Sequence, residues 1–255
     1  MTPLSVIVIT RNEERNITAC LEGVRWADEI ILVDSDSRDA TTARAREFGA
    51  KIFMRPWSGF AEAKTFAVSK SRNDWVFWLD ADERVPAELA REIQSLLEKP
   101  PEKAAYSVAR RAYFLGRCIR HSGWYPGRVA RLFDKNRASF SPAVVHEGLE
   151  VRGNVGRLRN DLLHFTDPNL YHYIAKFNRY TSLASEESFI AGRRFRFADV
   201  LLHPAWLFLK MYVLRLGFLD GVQGFLLALL SAAYVFTKYT KLWEAWHVST
   251  PTEQP

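Results

Sequence analysis

Short apolar runs alternate with segments of helical spacing through the first hundred residues, and this alternation limits the possible folds more than any other feature. The apolar runs are rich in β-branched and aromatic residues, which is typical of strands buried on both faces. They predict strands at 4–9, 29–33, 51–53 and 75–79. Helical spacing predicts helices at 17–24, 40–48, 60–70 and 86–98, the last of them opened by a proline. Because the links are short, we predict an α/β fold with a mostly parallel sheet and helices on both faces.

The alternation fades after about residue 100, where Pro100-Pro101 marks a joint. Turns containing Gly, Pro and Asn separate the next apolar segments. These segments predict strands at 104–115, 128–134, 144–151 and 157–165, followed by a helix at 168–190. The remainder of the chain is dominated by large apolar residues, so the sequence predicts three parts with boundaries near residues 100 and 190.

The net charge limits the classes of binding partner, and the cysteine content indicates the redox state of the cellular compartment. The net charge of +6 and the pI near 9.4 suit an anionic partner, such as nucleic acid, anionic lipid or a phosphorylated substrate. The aromatic residues cluster in the apolar C-terminal part and not among basic residues, which argues against nucleic-acid binding. Cys20 and Cys118 form no C-x-x-C motif, so a reducing cytoplasm is favoured. Residues 1–9 lack the features of a signal peptide, and none is predicted.

Acidic and polar segments follow three of the predicted strands directly. They comprise residues 10–14, 34–39 and 80–83. In an open parallel sheet, ligands bind beyond the carboxyl ends of the strands. Loops are polar in any case, so a single segment of this kind would mean little. Three in succession, each beginning where a buried strand ends, favour a binding site at one edge of the sheet.

The chemistry of that site is indicated by what the first strand lacks. No Gly-x-Gly-x-x-Gly motif follows it, and the sequence contains no Walker phosphate loop. Phosphate groups therefore need another partner, and a divalent cation is the natural one. Asp80 and Asp82 are hard oxygen ligands two positions apart, suited to Mg²⁺ or Mn²⁺. A metal between phosphate oxygens would neutralise a departing nucleoside diphosphate.

Four motifs within residues 3–100 resemble, in order and spacing, those of the family 2 glycosyltransferases with the GT-A fold. They are Thr10-x-Asn12-Glu13, Val33-Asp34-Ser-x-Ser37-x-Asp39, Gly59-Phe-x-x-x-Lys64 and Leu79-Asp-Ala-Asp-Glu-Arg84. Later motifs are similar to the bacterial lipopolysaccharide inner-core glucosyltransferase branch: Gly123-Trp-Tyr-Pro126, Arg131-Leu-Phe133, Val145-His-Glu-Gly148 and Gly217-Phe-Leu-Asp-Gly221. Two positions depart from the family pattern, Asp36 where glycine is usual and Thr65 where asparagine is common. Both lie near the expected nucleotide pocket.

The resemblance implies a role for each matching residue. Thr10, Glu13 and Asp34 would line the uracil and ribose pocket, and Asn12 belongs to the same nucleotide-sugar-binding set. Lys64 would lie beside the nucleotide and its phosphates. Without the resemblance, Lys64 is equally well an ordinary solvated lysine on a helix.

The same resemblance implies which residues bind the metal and which residue acts on the acceptor hydroxyl. Asp80 would face both ribose and metal, and Asp82 would be a catalytic metal ligand. A late histidine often completes the metal shell in this fold, and His164 suits that place, although a histidine at a strand end is commonly a surface residue. Inverting transfer needs a general base near the acceptor hydroxyl. We favour Glu147 as that catalytic base over the neighbouring His146.

Residues 221–237 form an apolar run slightly shorter than the roughly 20 residues of a spanning helix. Trp and Tyr residues occur around this run, and these residue types favour membrane interfaces. Lys238 and Lys241 lie at its end. We favour an interfacial or re-entrant helical pair. The alternatives are a soluble helical cap or dimer interface and, less favoured, a true membrane span.

Together these observations predict an inverting glycosyltransferase that moves a hexose, glucose from UDP-glucose, to a lipopolysaccharide inner-core sugar or another lipid-linked glycan. Residues 1–100 would bind the nucleotide-sugar, 101–190 would bind the acceptor within the same GT-A domain, and 191–255 would associate with an anionic membrane surface. The cytoplasmic face of the bacterial inner membrane follows as the expected location. Two alternatives stay open: a polyprenyl-phosphate or capsule glycosyltransferase, and a catalytically silent nucleotide-binding membrane scaffold. Oligomeric state is left undetermined.

Overall fold

The computed structural model describes residues 1–141, 148–167 and 169–248. The strands in these residues are β1 (Leu4–Thr10), β2 (Glu29–Asp34), β3 (Lys51–Met54), β4 (Trp75–Asp80), β5 (Glu83–Arg84), β6 (Ala105–Phe114), β7 (Arg117–Cys118), β8 (Gly127–Asp134), β9 (Ala138–Phe140), β10 (Leu149–Val151), β11 (Val155–Arg157) and β12 (Leu162–Asp167). The α-helices are α1 (Ile17–Glu22), α2 (Thr41–Arg46), α3 (Phe60–Lys70), α4 (Ala87–Leu97), α5 (Leu170–Ile190), α6 (Phe197–Leu209) and α7 (Gly221–His247). A π-helical turn (Lys210–Leu214) and a 3₁₀ turn (Gly217–Asp220) lie between α6 and α7.

The main sheet has the strand order β3-β2-β1-β4-β8-β6-β12-β5. Its first four strands are parallel, whereas β8 pairs antiparallel with both β4 and β6. In this register Thr10 lies beside Asp34, and Ile9 lies beside Asp80. The predicted α/β fold is therefore confirmed, and the polar ends of β1, β2 and β4 meet at one edge of the sheet as expected.

Side chains of β1 alternate between two apolar clusters, one on each face of the sheet. Val6 and Val8 pack in a cluster that contains Leu21 of α1 and Leu89 of α4. Ile7 belongs to a second cluster that contains Ala67 of α3. Successive side chains of a strand point to opposite faces, so a strand that is apolar throughout needs helices on both sides. The continuous apolar runs of the sequence have this cause.

The predicted strand at 157–165 is wrong in one respect, because the structure divides it into β11 and β12. The Glu92 carboxylate accepts hydrogen bonds from the backbone N–H groups of Arg159 and Asn160, at 2.7 and 2.9 Å. These amides are thereby withdrawn from strand pairing, and the chain turns. Of the predicted strand at 144–151, residues 149–151 form β10, and 144–147 lie outside the described residues. The strand β10 pairs antiparallel with β9, which the sequence did not predict.

The chain divides into two compact units. The first comprises Met1–Arg111 and Pro126–Phe165, and the second comprises Ala112–Tyr125 and the chain from Thr166 onward. These boundaries follow compactness, so the three functional parts expected from the sequence stay predictions. Within the second unit, one apolar cluster contains five buried residues, Phe114, Ile119, Met211, Leu227 and Ala228.

Two segments of the second unit are long and apolar enough to cross a membrane, by length and composition alone. They are Phe197–Leu214 and Gly217–His247, and only 11% and 28% of their apolar windows are buried. A helix in the core of a soluble domain would be mostly buried, so this low burial sets the pair apart. Exposed side chains along them include Leu201, Leu202, Trp206, Leu214, Phe218, Leu219, Val222, Phe225 and Leu229. Whether the pair lies on, re-enters or spans a membrane stays a prediction.

Candidate active site

The candidate site lies within the first unit. Asp34, at the end of β2, is fully buried. Its carboxylate accepts hydrogen bonds from the Thr10 hydroxyl at 2.9 Å, from the Ser37 backbone N–H at 2.8 Å and from the Ser37 hydroxyl at 2.5 Å. A buried carboxylate needs such donors, because removal from water penalises its charge. The carboxylate is thus held rigidly at the edge of the sheet.

The loops after β1 and β2 are hydrogen-bonded to each other. The backbone N–H of Asn12 donates to the Ser37 hydroxyl at 2.7 Å, and its side-chain oxygen accepts from the Arg38 N–H at 2.8 Å. Asp36 has φ of 58°, in the left-handed region that glycine adopts without strain. The departure from the usual glycine at this position is therefore tolerated, since aspartate is among the residues that enter this region more readily.

Beyond β4, the chain turns through Asp80-Ala81-Asp82 into β5, and Arg131 of β8 reaches this turn. Arg131 is fully buried, and its Nη2 donates to Asp80 Oδ2 at 2.8 Å and to Glu83 Oε1 at 2.5 Å. The second oxygen of Glu83, Oε2, accepts the backbone N–H of Asp80 at 3.0 Å. One arginine therefore connects both ends of the acidic turn.

Burial and charge act in opposite directions on these two carboxyl groups. Burial raises the pKa of Asp80, but the charges of Arg131 and Lys64 outweigh it and lower that pKa to about 2. Burial also raises the pKa of Glu83, and the nearby Asp80 raises it further, against the opposing charge of Arg131. Asp80 is accordingly the more strongly ionised of the two. A second charge close by disfavours ionisation of its neighbour.

Trp78 of β4 carries two cations over its ring. Arg131 Cζ lies 3.3 Å from the centroid of the Trp78 ring, and Lys64 Nζ lies 4.1 Å from the same centroid. Phe60 and Phe140 also lie within 6 Å of Lys64 Nζ. Lys64 is only 6% exposed, so it is not the solvated helix lysine considered as the alternative. Cation–π contacts of this kind gain strength when the cation is desolvated.

His164 of β12 lies beside Asp82. Its Nε2 is 3.4 Å from Asp82 Oδ2, and both side chains are partly accessible. The placement follows from the antiparallel pairing of β12 with β5, which sets His164 opposite Glu83. The Phe165 backbone N–H also donates to the Asp82 carbonyl at 2.9 Å. In the part of the chain that the structure describes, no three His, Cys, Asp or Glu side chains group closely enough to hold a metal ion.

The predicted residues thus form two neighbouring groups at the strand ends. The first contains Thr10, Asn12, Glu13 and Asp34, and the second contains Lys64, Asp80, Asp82 and His164. Their ligands and roles stay predictions. Glu147 and its competitor His146 lie outside the described residues.

The sequence assigned no role to Arg131, Glu83 or Trp78. A signal was available, since Arg131 is the single charge within the otherwise apolar stretch Val129-Ala-Arg-Leu-Phe133. A charge in a buried strand implies a buried counter-charge. The sequence pattern does not show which acidic residue is that counter-charge.

Comparisons with known proteins agree with the fold and show the family. A family model described as Glycosyl transferase family 2 matches residues 5–202. The lipopolysaccharide core biosynthesis glycosyltransferase LpsC of Rhizobium meliloti is 32% identical over 95% of this chain and 92% of its own length. An uncharacterized glycosyltransferase of Rickettsia typhi is 28% identical over 96% of this chain and 88% of its own length. A mannosyltransferase of Pyrobaculum calidifontis, solved in complex with GDP-Man and Mn²⁺, has a TM-score of 0.57 at 17% identity, covering 96% of this chain and 88% of that one. This last likeness supports the fold alone.

Proposed function

Because the chain belongs to the family 2 glycosyltransferases, we propose that it transfers glucose from UDP-glucose to an inner-core sugar of lipopolysaccharide, with inversion at the anomeric carbon. The class of enzyme and its use of a nucleotide-sugar donor follow from the family. The acceptor is supported by the relative from Rhizobium meliloti, which matches almost the whole chain. The UDP-glucose donor is supported by the resemblance of the motifs. The acidic pair at the end of β4, with His164 beside Asp82, is the observation that carries the proposal.

The nucleoside would bind at the first group of residues. Asp34 is fixed by Thr10 and Ser37, so its carboxylate is preorganised to accept hydrogen bonds from the uracil or the ribose. Asn12 and Glu13 lie in the loop hydrogen-bonded against the Asp34 loop. A preorganised acceptor costs little ordering entropy on binding. The specificity for uridine would therefore reside in residues 10–13 and 34–37.

The diphosphate would lie toward the second group, with Mg²⁺ or Mn²⁺. Magnesium is commonly held by one or two carboxylates together with substrate phosphates, with bonds of about 2.1 Å, which places adjacent ligands about 3 Å apart. The 3.4 Å between Asp82 Oδ2 and His164 Nε2 fits adjacent ligands. Asp80, whose carboxylate is bound to Arg131 and does not group with these two side chains in the structure, is proposed to join them as a third ligand once metal and nucleotide bind. When bound, the metal neutralises charge on the departing diphosphate.

Transfer would begin when the acceptor hydroxyl attacks the anomeric carbon of glucose. The bond between that carbon and the diphosphate oxygen breaks, and UDP leaves with the electron pair. Glu147 is proposed to take the proton of the attacking hydroxyl, which raises its nucleophilicity. Lys64, held among aromatic rings with its charge near Asp80, would balance the negative charge of the phosphates.

The lipid-linked acceptor requires the enzyme to reach a membrane, and the second unit supplies a surface for it. The exposed apolar residues of α6 and α7 would enter the interface of an anionic membrane on the cytoplasmic face of the inner membrane. Exposed basic side chains such as Lys210 and Arg215 would contact anionic head groups.

A donor and acceptor screen tests the proposal. Calorimetry with UDP-glucose, UDP-galactose and GDP-mannose, with and without Mn²⁺, should give the tightest binding for UDP-glucose with metal. Transfer should then be measured to core oligosaccharide and to polyprenyl phosphate. Transfer to polyprenyl phosphate alone would favour the alternative acceptor class. Binding without any metal-dependent transfer or hydrolysis would favour a silent scaffold.

A further inference from the structure

We propose that Arg131 is a positioning residue of the donor site, which holds the Asp80–Arg84 turn so that Asp82 faces His164. The inference rests on the proposed donor site. Arg131 comes from β8, whose register with β4 places Leu132 beside Phe77. This pairing brings a fully buried guanidinium against the acidic turn beyond the end of β4.

The two ion pairs of Arg131 differ in their surroundings. Glu83 is fully buried, whereas the Asp80 side chain retains 36% exposure. A buried charge is tolerated when it is paired and hydrogen-bonded. Glu83 satisfies the arginine inside the protein, and Asp80 stands at the boundary with solvent. Arg131 therefore links a structural carboxylate to one that a ligand can reach.

The contacts of the turn propagate this constraint to Asp82. Glu83 accepts from Arg131 with one oxygen and from the Asp80 backbone with the other, so the side chain spans the turn. Asp82 lies between these two residues, and its carbonyl is fixed by the Phe165 N–H. The backbone on both sides of Asp82 is thus held in place, which limits the directions that its carboxylate can take. Residues that orient metal ligands in this way affect metal affinity without touching the metal.

Within the part of the chain that the structure describes, Arg131 does not use all of its hydrogen-bond donors, as an arginine that served stability alone would be expected to do. Among the described residues, Nε and Nη1 are buried with no hydrogen-bond partner. Both carboxylates share the remaining nitrogen, Nη2, and the guanidinium lies against the Trp78 ring. Because leaving buried donors unpaired is unfavourable, Arg131 owes its place to the two carboxylates and the Trp78 ring and not to a full set of hydrogen bonds. The proposed role depends on the position of Nη2 between the two carboxylates and not on the number of hydrogen bonds that Arg131 makes.

The test measures binding of Mn²⁺ with UDP by electron paramagnetic resonance and calorimetry, at a temperature where every variant is folded. We expect Arg131→Met to weaken metal affinity 10- to 100-fold, the range typical of residues that orient ligands. Arg131→Lys should restore part of that affinity, since it returns the charge but not the planar group. Arg128→Met is the matched control from the same strand, and its metal affinity should equal that of the wild type. The Arg128 side chain donates to the Leu158 carbonyl at 3.1 Å.

Arg131→Met leaves Glu83 buried without its counter-charge and could prevent folding. The double variant Arg131→Met/Glu83→Gln removes both charges and keeps the test decisive. A folded double variant whose metal affinity is lower than that of Glu83→Gln alone supports the proposal. Wild-type affinity in folded Arg131 variants overturns it, even where the melting temperature falls.

Asp82→Asn separates failure of this inference from failure of the proposed site. If Asp82→Asn binds Mn²⁺ with UDP as tightly as the wild type, the metal site itself is wrong. If Asp82→Asn loses binding while folded Arg131 variants keep it, only the positioning role is wrong.

Discussion

Asp82 Oδ2 lies 3.4 Å from His164 Nε2, and Asp82 is two positions along the chain from Asp80, whose carboxylate is bound by buried Arg131. A strand early in the chain and a strand late in the first unit meet at this point. Sequence proximity contributes nothing to the contact, which depends on the pairing of β5 with β12.

Asp82→Ala is expected to abolish sugar transfer while the protein stays folded. Loss of the metal would leave the charge of the departing diphosphate uncompensated, at a cost of several kcal/mol, or roughly a thousandfold or more in rate. Steady-state transfer assays and circular dichroism check the two parts. Asp74→Ala, an exposed carboxylate near the start of β4, serves as the control and should be fully active. Full activity of Asp82→Ala would reject the metal assignment.

Glu147→Gln is expected to keep donor binding and to slow transfer by about 10²- to 10⁴-fold, the usual contribution of a general base. The amide preserves the shape of the side chain but accepts no proton. Donor affinity by calorimetry and single-turnover transfer rates measure the two effects. His146→Ala is the paired comparison. A crippled His146→Ala beside a near-normal Glu147→Gln would show that the base is the histidine.

Glu29 is expected to make the stability of the first unit depend on acid pH. Burial raises the pKa of Glu29, but hydrogen bonds from Lys51, Ser5 and the Arg72 backbone outweigh it and lower the pKa below its ordinary value. The stabilisation is therefore complete above the ordinary pKa, which is about 4.5, and is lost as pH falls through the lower folded-state pKa. Glu29→Gln should cost about 1–3 kcal/mol at pH 7.

Urea unfolding at several pH values measures that dependence. The difference in unfolding free energy between wild type and Glu29→Gln should shrink as pH falls from 5 toward about 3. Glu22→Gln, an exposed glutamate on α1, should show no such change. A pH-independent cost of Glu29→Gln would mean that the residue acts through packing and not through charge.

Gly224→Ala is expected to destabilise the second unit. A Cβ at this position would lie 1.9 Å from the Gly217 carbonyl oxygen and 2.9 Å from Asp220 Cβ, so backbone would have to move. Overpacking of this kind costs about 1–3 kcal/mol or more. Thermal unfolding followed by circular dichroism measures the loss. In Gly148→Ala, the added Cβ meets nothing within 4 Å, and an equal loss there would refute the steric explanation.

Replacing exposed apolar residues of the α6 and α7 segments is expected to abolish membrane binding. Leu202, Trp206, Phe218 and Val222 are 46–70% exposed, so their joint replacement by Gln removes apolar surface without opening a core. Full-length wild type should sediment with vesicles containing anionic lipid, and the variant should stay in solution. Met54 on β3 is similarly exposed, and the control variant Met54→Gln should sediment with vesicles as the wild type does.

Added salt should weaken the electrostatic share of vesicle binding, since each basic residue near an anionic surface contributes about 1 kcal/mol. The apolar share should persist. If the wild type ignores vesicles and forms a dimer that the same substitutions dissociate, this surface is a protein interface instead. Substitution is a sharper test than deletion of the C-terminal segment, because deletion also removes the packing partners of Phe114 and Ile119.

The sequence by itself determined the sheet and one edge of the site. Short continuous apolar runs rich in β-branched residues, set between turns and helical segments, indicate strands covered on both faces, and the carboxyl ends of neighbouring parallel strands share an edge. Thr10, Asp34 and Asp80 therefore met as predicted. These inferences succeeded because they depend on periodicity and chain direction, which are local properties.

Only the tertiary structure decided which distant residues complete the site. Arg131 reaches Asp80 because β8 inserts antiparallel beside β4, and His164 reaches Asp82 because β12 pairs with β5. Apolar patterning shows that a strand is buried but not which strand lies beside it or in what register. The burial of Lys64 has partly the same origin, since two of the rings beside it, Trp78 and Phe140, come from β4 and β9. Long-range strand pairing and register thus fixed what periodicity left open.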